Sequence, residues 1–251
     1  MKGWSKRRLL LLAGVIYLVS LLATLPASLF VDRLNGLSPQ LQLQDVRGSI
    51  WHGRVGQLII NNRPLRDVRW QLQPLALLAG RLQLGLAYVD AKNDIEVDVA
   101  LGLGNTLQLR HLSGEISPAF VQAFTSYSFP VLDGTLVFED TNLILKARRP
   151  QQLSGAIEWQ AAALDMGQRM NLGHLRLGME TTGEGMQIVL SEESGLLSGE
   201  GRVLLTQEGR YSIEASFTPS AKGRALEAQL GLVLQKRPDG SYGRSYNGQL
   251  P

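Results

Sequence analysis

No cysteine occurs anywhere in the 251 residues. Thiol catalysis, thiolate metal sites and iron–sulfur clusters are thereby excluded. Disulfides are excluded as well. A chain of this length buries enough surface to fold without them, so their absence is compatible with an oxidising compartment and does not indicate one. Aromatic side chains are scarce, at 6 %, whereas glycine is plentiful, with 27 residues. That balance suits many short strands joined by turns better than a helix bundle.

Basic excess is also missing from most of the chain, although the formal net charge is +3. Residues 1–33 hold five of the 25 basic side chains (Lys2, Lys6, Arg7, Arg8, Arg33) and one of the 22 acidic ones, Asp32. Residues 34–251 are therefore nearly neutral, with 20 basic and 21 acidic groups. They offer no general attraction for phosphate, and nucleic acid is not an expected partner.

Recognisable catalytic chemistry is absent too. No Gly-x-Ser-x-Gly elbow and no phosphate-binding loop occurs, and Gly102 and Gly104 sit in an alternating strand pattern rather than in a dinucleotide fingerprint. His52, His111 and His174 each lack a second histidine or an acid at metal-ligand spacing. Glu192-Glu193 reads as a solvated turn. A paired-carboxylate hydrolase would need acids that meet only in the fold. No catalytic residue, cofactor or metal is expected.

Long apolar runs are missing except for one. Leu9–Phe30 is 22 residues without a charge. As a helix it would reach about 33 Å, enough for the ~30 Å hydrocarbon core of a bilayer. The basic residues before it predict a cytoplasmic N-terminus and an exported remainder. A cleavable signal peptide is the alternative reading. Its apolar region would be shorter, and cleavage after Ala27 would put Leu25 at −3 and Pro26 at −2, a poor site. The expected organisation is a cytoplasmic segment 1–8, a transmembrane helix 9–30, a linker and first strand 31–45, and a periplasmic β-rich domain 46–251.

Beyond residue 40 the prevailing pattern has period two, as in strands with one covered face. It is clearest at Ile95, Val97, Val99, Leu101 and Leu103, and at Leu82, Leu84, Leu86 and Tyr88. It returns at Leu175–Met179, Met186–Leu190 and Tyr211–Phe217, and again at Leu226, Ala228, Leu230, Leu232 and Leu234. Turn signals at Asp133-Gly134, Thr182–Gly185, Glu208-Gly209 and Pro238–Gly240 separate the runs. Short helices are expected from the Ser117-Pro118 cap to about Phe124, and over Pro74–Ala79 before Gly80. Ser-Gly pairs at Ser113-Gly114, Ser154-Gly155 and Ser198-Gly199 recur ahead of strands, about 40 residues apart, as a repeated hairpin would produce. Trp51, Trp70 and Trp159 read as core residues first, with Trp51, Val55 and Ile59 on one strand face. The fold class is mainly β: one N-terminal transmembrane helix, then a long curved antiparallel sheet, as a meander groove or a sandwich, with one or two short helices.

Particular residues carry a family likeness. Val46-Arg47-Gly48-Ser49-Ile50-Trp51-His52-Gly53 is followed by Trp70 and Pro74, then by Leu77-Leu78-Ala79-Gly80-Arg81-Leu82. The chain closes on Pro238-Asp239-Gly240-Ser241-Tyr242. This order resembles the type II secretion system protein N (general secretion pathway protein N) family over nearly the whole chain. The resemblance implies a bitopic inner-membrane component, mostly periplasmic, of the machine that exports folded proteins across the outer membrane. It brings no catalytic residues. Gly48, Trp51, Gly53, Trp70, Pro74 and Gly80 form the candidate structural or partner motif.

The leading expectation is a non-enzymatic scaffolding subunit. Its partners would be other type II secretion subunits of the inner-membrane platform or the outer-membrane channel, with membrane lipid meeting the anchor. The alternative is an anchored β-groove module that binds a lipid or apolar ligand.

Overall fold

Leucine-rich sequence without a proline carries α1 over Lys6–Ala23, and the helix ends where Pro26 imposes extended backbone. The computed structural model describes the chain apart from residues 1–5, 38–39, 103, 125–129, 148, 166, 168, 207, 228–229, 232–233 and 250–251. Two compact units emerge, Met1–Leu75 and Ala76–Pro251.

In the first unit, α1 is followed by a 3-10 turn, Ala27–Phe30, and by α2, Val31–Leu37. The uncharged run 9–30 is thus broken after Ala23 and does not form one helix. Among the described residues no helix is long and apolar enough to cross a membrane. The strands β1 (Leu41–Gly48), β2 (His52–Ile60) and β3 (Arg63–Leu72) form an antiparallel meander. Asn61 and Asn62 join β2 to β3 with φ of 50° and 63°. Two successive left-handed residues in a two-residue loop match the right-handed twist of the strands they connect. The free edge of β1 is closed at one point, because the Asn35 side chain from α2 accepts from the Leu43 amide at 2.7 Å.

The second unit begins in the short helix α3, Pro74–Leu78. Strands follow at Leu82–Val89 (β4), Asp94–Gly102 (β5), Thr106–Ile116 (β6), Val131–Lys146 (β7), Arg149–Asp165 (β8) and Arg169–Thr181 (β9). Then come Met186–Glu192 (β10), Leu197–Leu205 (β11), Arg210–Pro219 (β12), Gln235–Lys236 (β13) and Tyr242–Gln249 (β14). Each strand from β4 to β12 pairs antiparallel with the next, and β14 then lies between β12 and β13. The expected meander is present; within this unit the described strands make one sheet rather than two facing ones. The Ser117 side chain caps α4 (Pro118–Ala123), accepting from the Phe120 amide at 3.3 Å.

Left-handed residues interrupt β6, β7 and β8 at His111, Asp140 and Ala161, and the register shifts beside each. Such bulges bend a strand and increase its twist. The recurrent Ser-Gly pairs lie inside strands rather than in turns ahead of them. Gly114, Gly155 and Gly199 share φ of 114–119°, and a Cβ on any of them would strike the neighbouring strand's backbone at 2.0–2.6 Å. Asp133-Gly134 is likewise a bulge within β7 and not a turn. The other three predicted turns do close hairpins.

The last predicted strand is mostly something else. A 3-10 turn spans Arg224–Leu226, and the Leu234 amide donates to the Leu230 carbonyl at 2.7 Å, a helical bond. Leu103, Ala228 and Leu232 of the predicted strands lie outside the described residues, as do the basic Lys2 and most of the segment 1–8. Leu226 and Leu230 are buried with Met170, Leu197, Phe217 and Tyr242, the chief apolar cluster of this unit. Apolar side chains from four strands thus converge on Leu226 and Leu230.

Candidate functional site

The stretch singled out in the sequence, Val46 to Gly53, crosses the β1–β2 connection and meets the end of α1. A helix leaves its last carbonyls without intrahelical donors. Here the tight β-turn supplies them. The Trp51 indole nitrogen donates to the Leu22 carbonyl at 2.8 Å, and the Ile50 amide donates to the Leu25 carbonyl at 2.9 Å. Pro26 forms an antiparallel bridge with Ser49. The first hairpin is therefore hydrogen-bonded to the helix exit through Ile50 and Trp51, with Ser49 paired to Pro26 beside them.

Glycine at two positions makes this turn feasible. Gly48 has φ of 107°, and a Cβ there would come within 2.5 Å of the His52 carbonyl. Gly53 faces Trp70 across the β2–β3 pair. A Cβ on Gly53 would stand 2.3 Å from the Arg47 carbonyl and 2.5 Å from the ring. The Trp70 indole nitrogen in turn donates to the Ile50 carbonyl at 3.3 Å. Gly48, Trp51, Gly53 and Trp70 are thus one assembly. Pro74 opens α3, and Gly80 closes it with φ of 69° and an amide bond to Leu77. Those two belong to the connector and not to that assembly.

The tryptophans differ from the expected core residues. All three are half-buried, and each donates its indole N–H to a backbone carbonyl, Trp159 to that of Asp133 at 2.8 Å. Trp51 precedes β2 instead of sharing a strand face with Val55 and Ile59. They staple irregular backbone, which a large amphipathic ring with one donor does well.

Ser49 and His52 lie together, Oγ to Nδ1 at 3.4 Å. The Ser49 oxygen, however, already accepts from the Trp51 and His52 amides at 3.2 and 3.3 Å. That is a hydroxyl closing its own turn, not an activated nucleophile.

A second grouping lies on β8, β9 and the turn after β10. His174 Nε2 is 3.5 Å from Glu158 Oε2, and the Glu193 carboxylate joins them with all donor atoms within 4.8 Å of one another. Arg176 pairs with Glu158 Oε1 at 2.6 Å and with Glu139 at 2.8 Å. Glu158 is held below the usual carboxylate range by the Gln160 amide first, then by His174 and Arg176, against a counteracting burial effect. The histidine with no apparent acid neighbour thus has two, 16 and 19 residues away in sequence. Only the β8–β9 register, which sets Glu158 opposite Arg176, brings them together.

Glu192, expected as a solvated acid, has a structural task. Its carboxylate accepts from the amides of Ser194, Leu196 and Leu197 at 2.6, 2.8 and 3.1 Å. Burial alone would raise its pKa, but these bonds outweigh it and lower the pKa.

Comparison with known proteins adds a family. The family described as type II secretion system (T2SS), protein N, matches residues 39–244. A type II secretion system protein N from Vibrio cholerae is 28 % identical over 262 aligned residues, covering 96 % of this chain and 97 % of that protein. One from Aeromonas hydrophila is 25 % identical, covering 94 % and 95 %. No solved structure matches.

Proposed function

The chain belongs to the type II secretion system protein N family, and from that membership we propose that it is a non-enzymatic inner-membrane subunit of the secretion machine. In this reading residues 1–8 lie in the cytoplasm, the apolar segment 9–30 holds the chain in the bilayer, and 31–45 lead into the periplasmic strands from residue 46 onward. Those strands form the surface on which other subunits, of the inner-membrane platform or the outer-membrane channel, assemble.

The observation that carries the anchor is the uniform exposure of α1. Leu10, Leu11, Val15, Ile16, Tyr17 and Leu18 are all 57–73 % exposed and point in every direction around the helix. A helix apolar on all sides has no stable surface in water and belongs in lipid or in a protein core. Its uncharged part, residues 9–23, reaches about 22 Å, short of an average hydrocarbon core, a mismatch met by local thinning or by snorkelling of the basic residues in its first turn. The hydrogen-bonded junction at Trp51 and Ile50 would then set the first hairpin at the membrane surface.

Photo-crosslinking in living cells from exposed positions such as Lys92 tests the assembly role. Capture of secretion-system subunits, together with impaired export in a deletion strain, is the expected result. No captured subunit and normal export would overturn it.

One observation favours a second reading, an apolar-ligand or lipid-binding module. Leu82 and Leu101 are direct cross-strand partners, yet they are 40 % and 48 % exposed. Lipid co-purifying with the wild-type chain and lost on Leu82→Gln/Leu101→Gln would support this reading, and lipid-free protein would remove it.

A further inference from the structure

We propose that Glu158, His174 and Glu193 form a zinc site that braces strands β8 and β9 against the β10–β11 turn.

The donor set has the right chemistry. One imidazole nitrogen and two carboxylates, with water in a fourth position, is an ordinary zinc environment, and the nitrogen disfavours calcium and magnesium. Tetrahedral zinc with bonds of about 2.0–2.1 Å separates neighbouring donors by about 3.4 Å. The His174 Nε2 to Glu158 Oε2 distance is 3.5 Å.

The nitrogen itself is anomalous without a ligand. The His174 side chain is 36 % exposed, yet its Nε2 is buried and has no hydrogen-bond partner. Buried polar atoms in folded proteins are nearly always paired. At 3.5 Å the Glu158 carboxylate is within ion-pair reach of the ring but beyond the ordinary hydrogen-bond distance.

Charge counting points the same way. Glu139, Glu158 and Glu193 surround one guanidinium, Arg176, which pairs with the first two and feels the third. With His174 neutral, two negative charges remain uncompensated, which a divalent cation neutralises.

The geometry is also held in advance. Arg176 occupies Oε1 of Glu158, which leaves Oε2 turned to the histidine; the Gln160 amide reaches that oxygen at a long 3.4 Å and is easily displaced. The Glu193 amide donates to the His174 carbonyl at 2.8 Å, and the His174 amide donates to Ser194 Oγ at 2.6 Å. Glu192 clamps the rest of that turn through its three amide bonds. Each ligand therefore sits on backbone whose position is fixed by other bonds.

The test is calorimetric titration of zinc chloride into the full-length chain, purified in detergent without a histidine tag and stripped of metal. The wild type should bind one zinc per chain and melt at a higher temperature with it. Glu193→Gln removes an exposed ligand at little risk to folding, and it should weaken binding by more than the roughly 10–100-fold that loss of an outer-shell partner costs, as should His174→Asn. His111→Asn should leave binding unchanged. It removes a histidine whose ring pairs with Asp98, away from the three ligands, at a left-handed position asparagine tolerates. No stoichiometric binding by the wild type, unchanged affinity in Glu193→Gln and His174→Asn, or equal loss in His111→Asn would each overturn the site.

Discussion

The Trp51 indole nitrogen donates to the Leu22 carbonyl oxygen at 2.8 Å, across 29 residues of sequence. This bond and the Ile50–Leu25 bond beside it fasten the first hairpin to the last turn of α1. A single neutral hydrogen bond contributes about 1 kcal/mol net. Trp51→Phe should therefore speed hydrogen exchange of the Ile50 amide by about fivefold, the equivalent of that energy. Unchanged exchange would mean that the junction is held by other contacts.

Gly53 is the tightest point of the same assembly. A methyl group there would strike both the Arg47 carbonyl and the Trp70 ring, so it has nowhere to go. Gly53→Ala should destabilise the first unit by about 1–3 kcal/mol, as overpacking does. Gly178→Ala in β9 is the matched control, since nothing lies within 4 Å of its Cβ position. Chemical denaturation of both variants compares them directly.

Leu226 and Leu230 are only 6 % and 7 % exposed. Leu230→Ala should cost about 2–5 kcal/mol in a denaturant titration of the full chain. This segment also explains why the sequence was misleading there. Leucines at 226, 230 and 234 are four apart, so they fit a period of two and a helical i, i+4 row equally well. Where the alternation is unambiguous, as from Leu82 to Tyr88 or from Tyr211 to Phe217, the strands lie where the pattern predicts.

The β4–β5 hairpin carries a pH dependence. Burial raises the Asp90 pKa, but hydrogen bonds from Tyr88 and from the Lys92 and Asn93 amides outweigh it, and the pKa falls to about 2. The same contact, with burial as the larger cause, pushes Tyr88 up to about 12. An Asp pKa lowered on folding stabilises the native state above the unfolded value of about 3.9, and that stability is lost as pH falls toward 2. Thermal melts between about pH 4 and 2 should therefore decline less steeply for Asp90→Asn than for the wild type. Identical slopes would show that other carboxylates govern the acid limb.

The candidate site was legible only in part. Gly48, Trp51, Gly53 and Trp70 stand out by residue type and do meet, because the close approaches in a tight hairpin demand glycine and an amphipathic aromatic. Nothing in the local sequence announces that Leu22 is the partner of Trp51. The helix stop at Ala23 was equally hidden, since residues 24–30 remain uncharged while Pro26 changes the backbone. Glu158, His174 and Glu193 come together through a register that bulges at Ala161 and near Gly173 have shifted. No spacing rule reads such a register from one sequence.

An anchored β domain outside the cytoplasm is tested most directly by cysteine labelling in intact cells. The chain has no cysteine of its own, so every signal comes from the introduced one. Lys92→Cys, in the β4–β5 hairpin, should react with a membrane-impermeant maleimide in cells whose outer membrane alone is permeabilised. Ser5→Cys, ahead of α1, should react only after lysis, and both proteins should sediment with the membrane. Labelling of Ser5→Cys in intact cells, or release of the full chain into the soluble fraction, would contradict it.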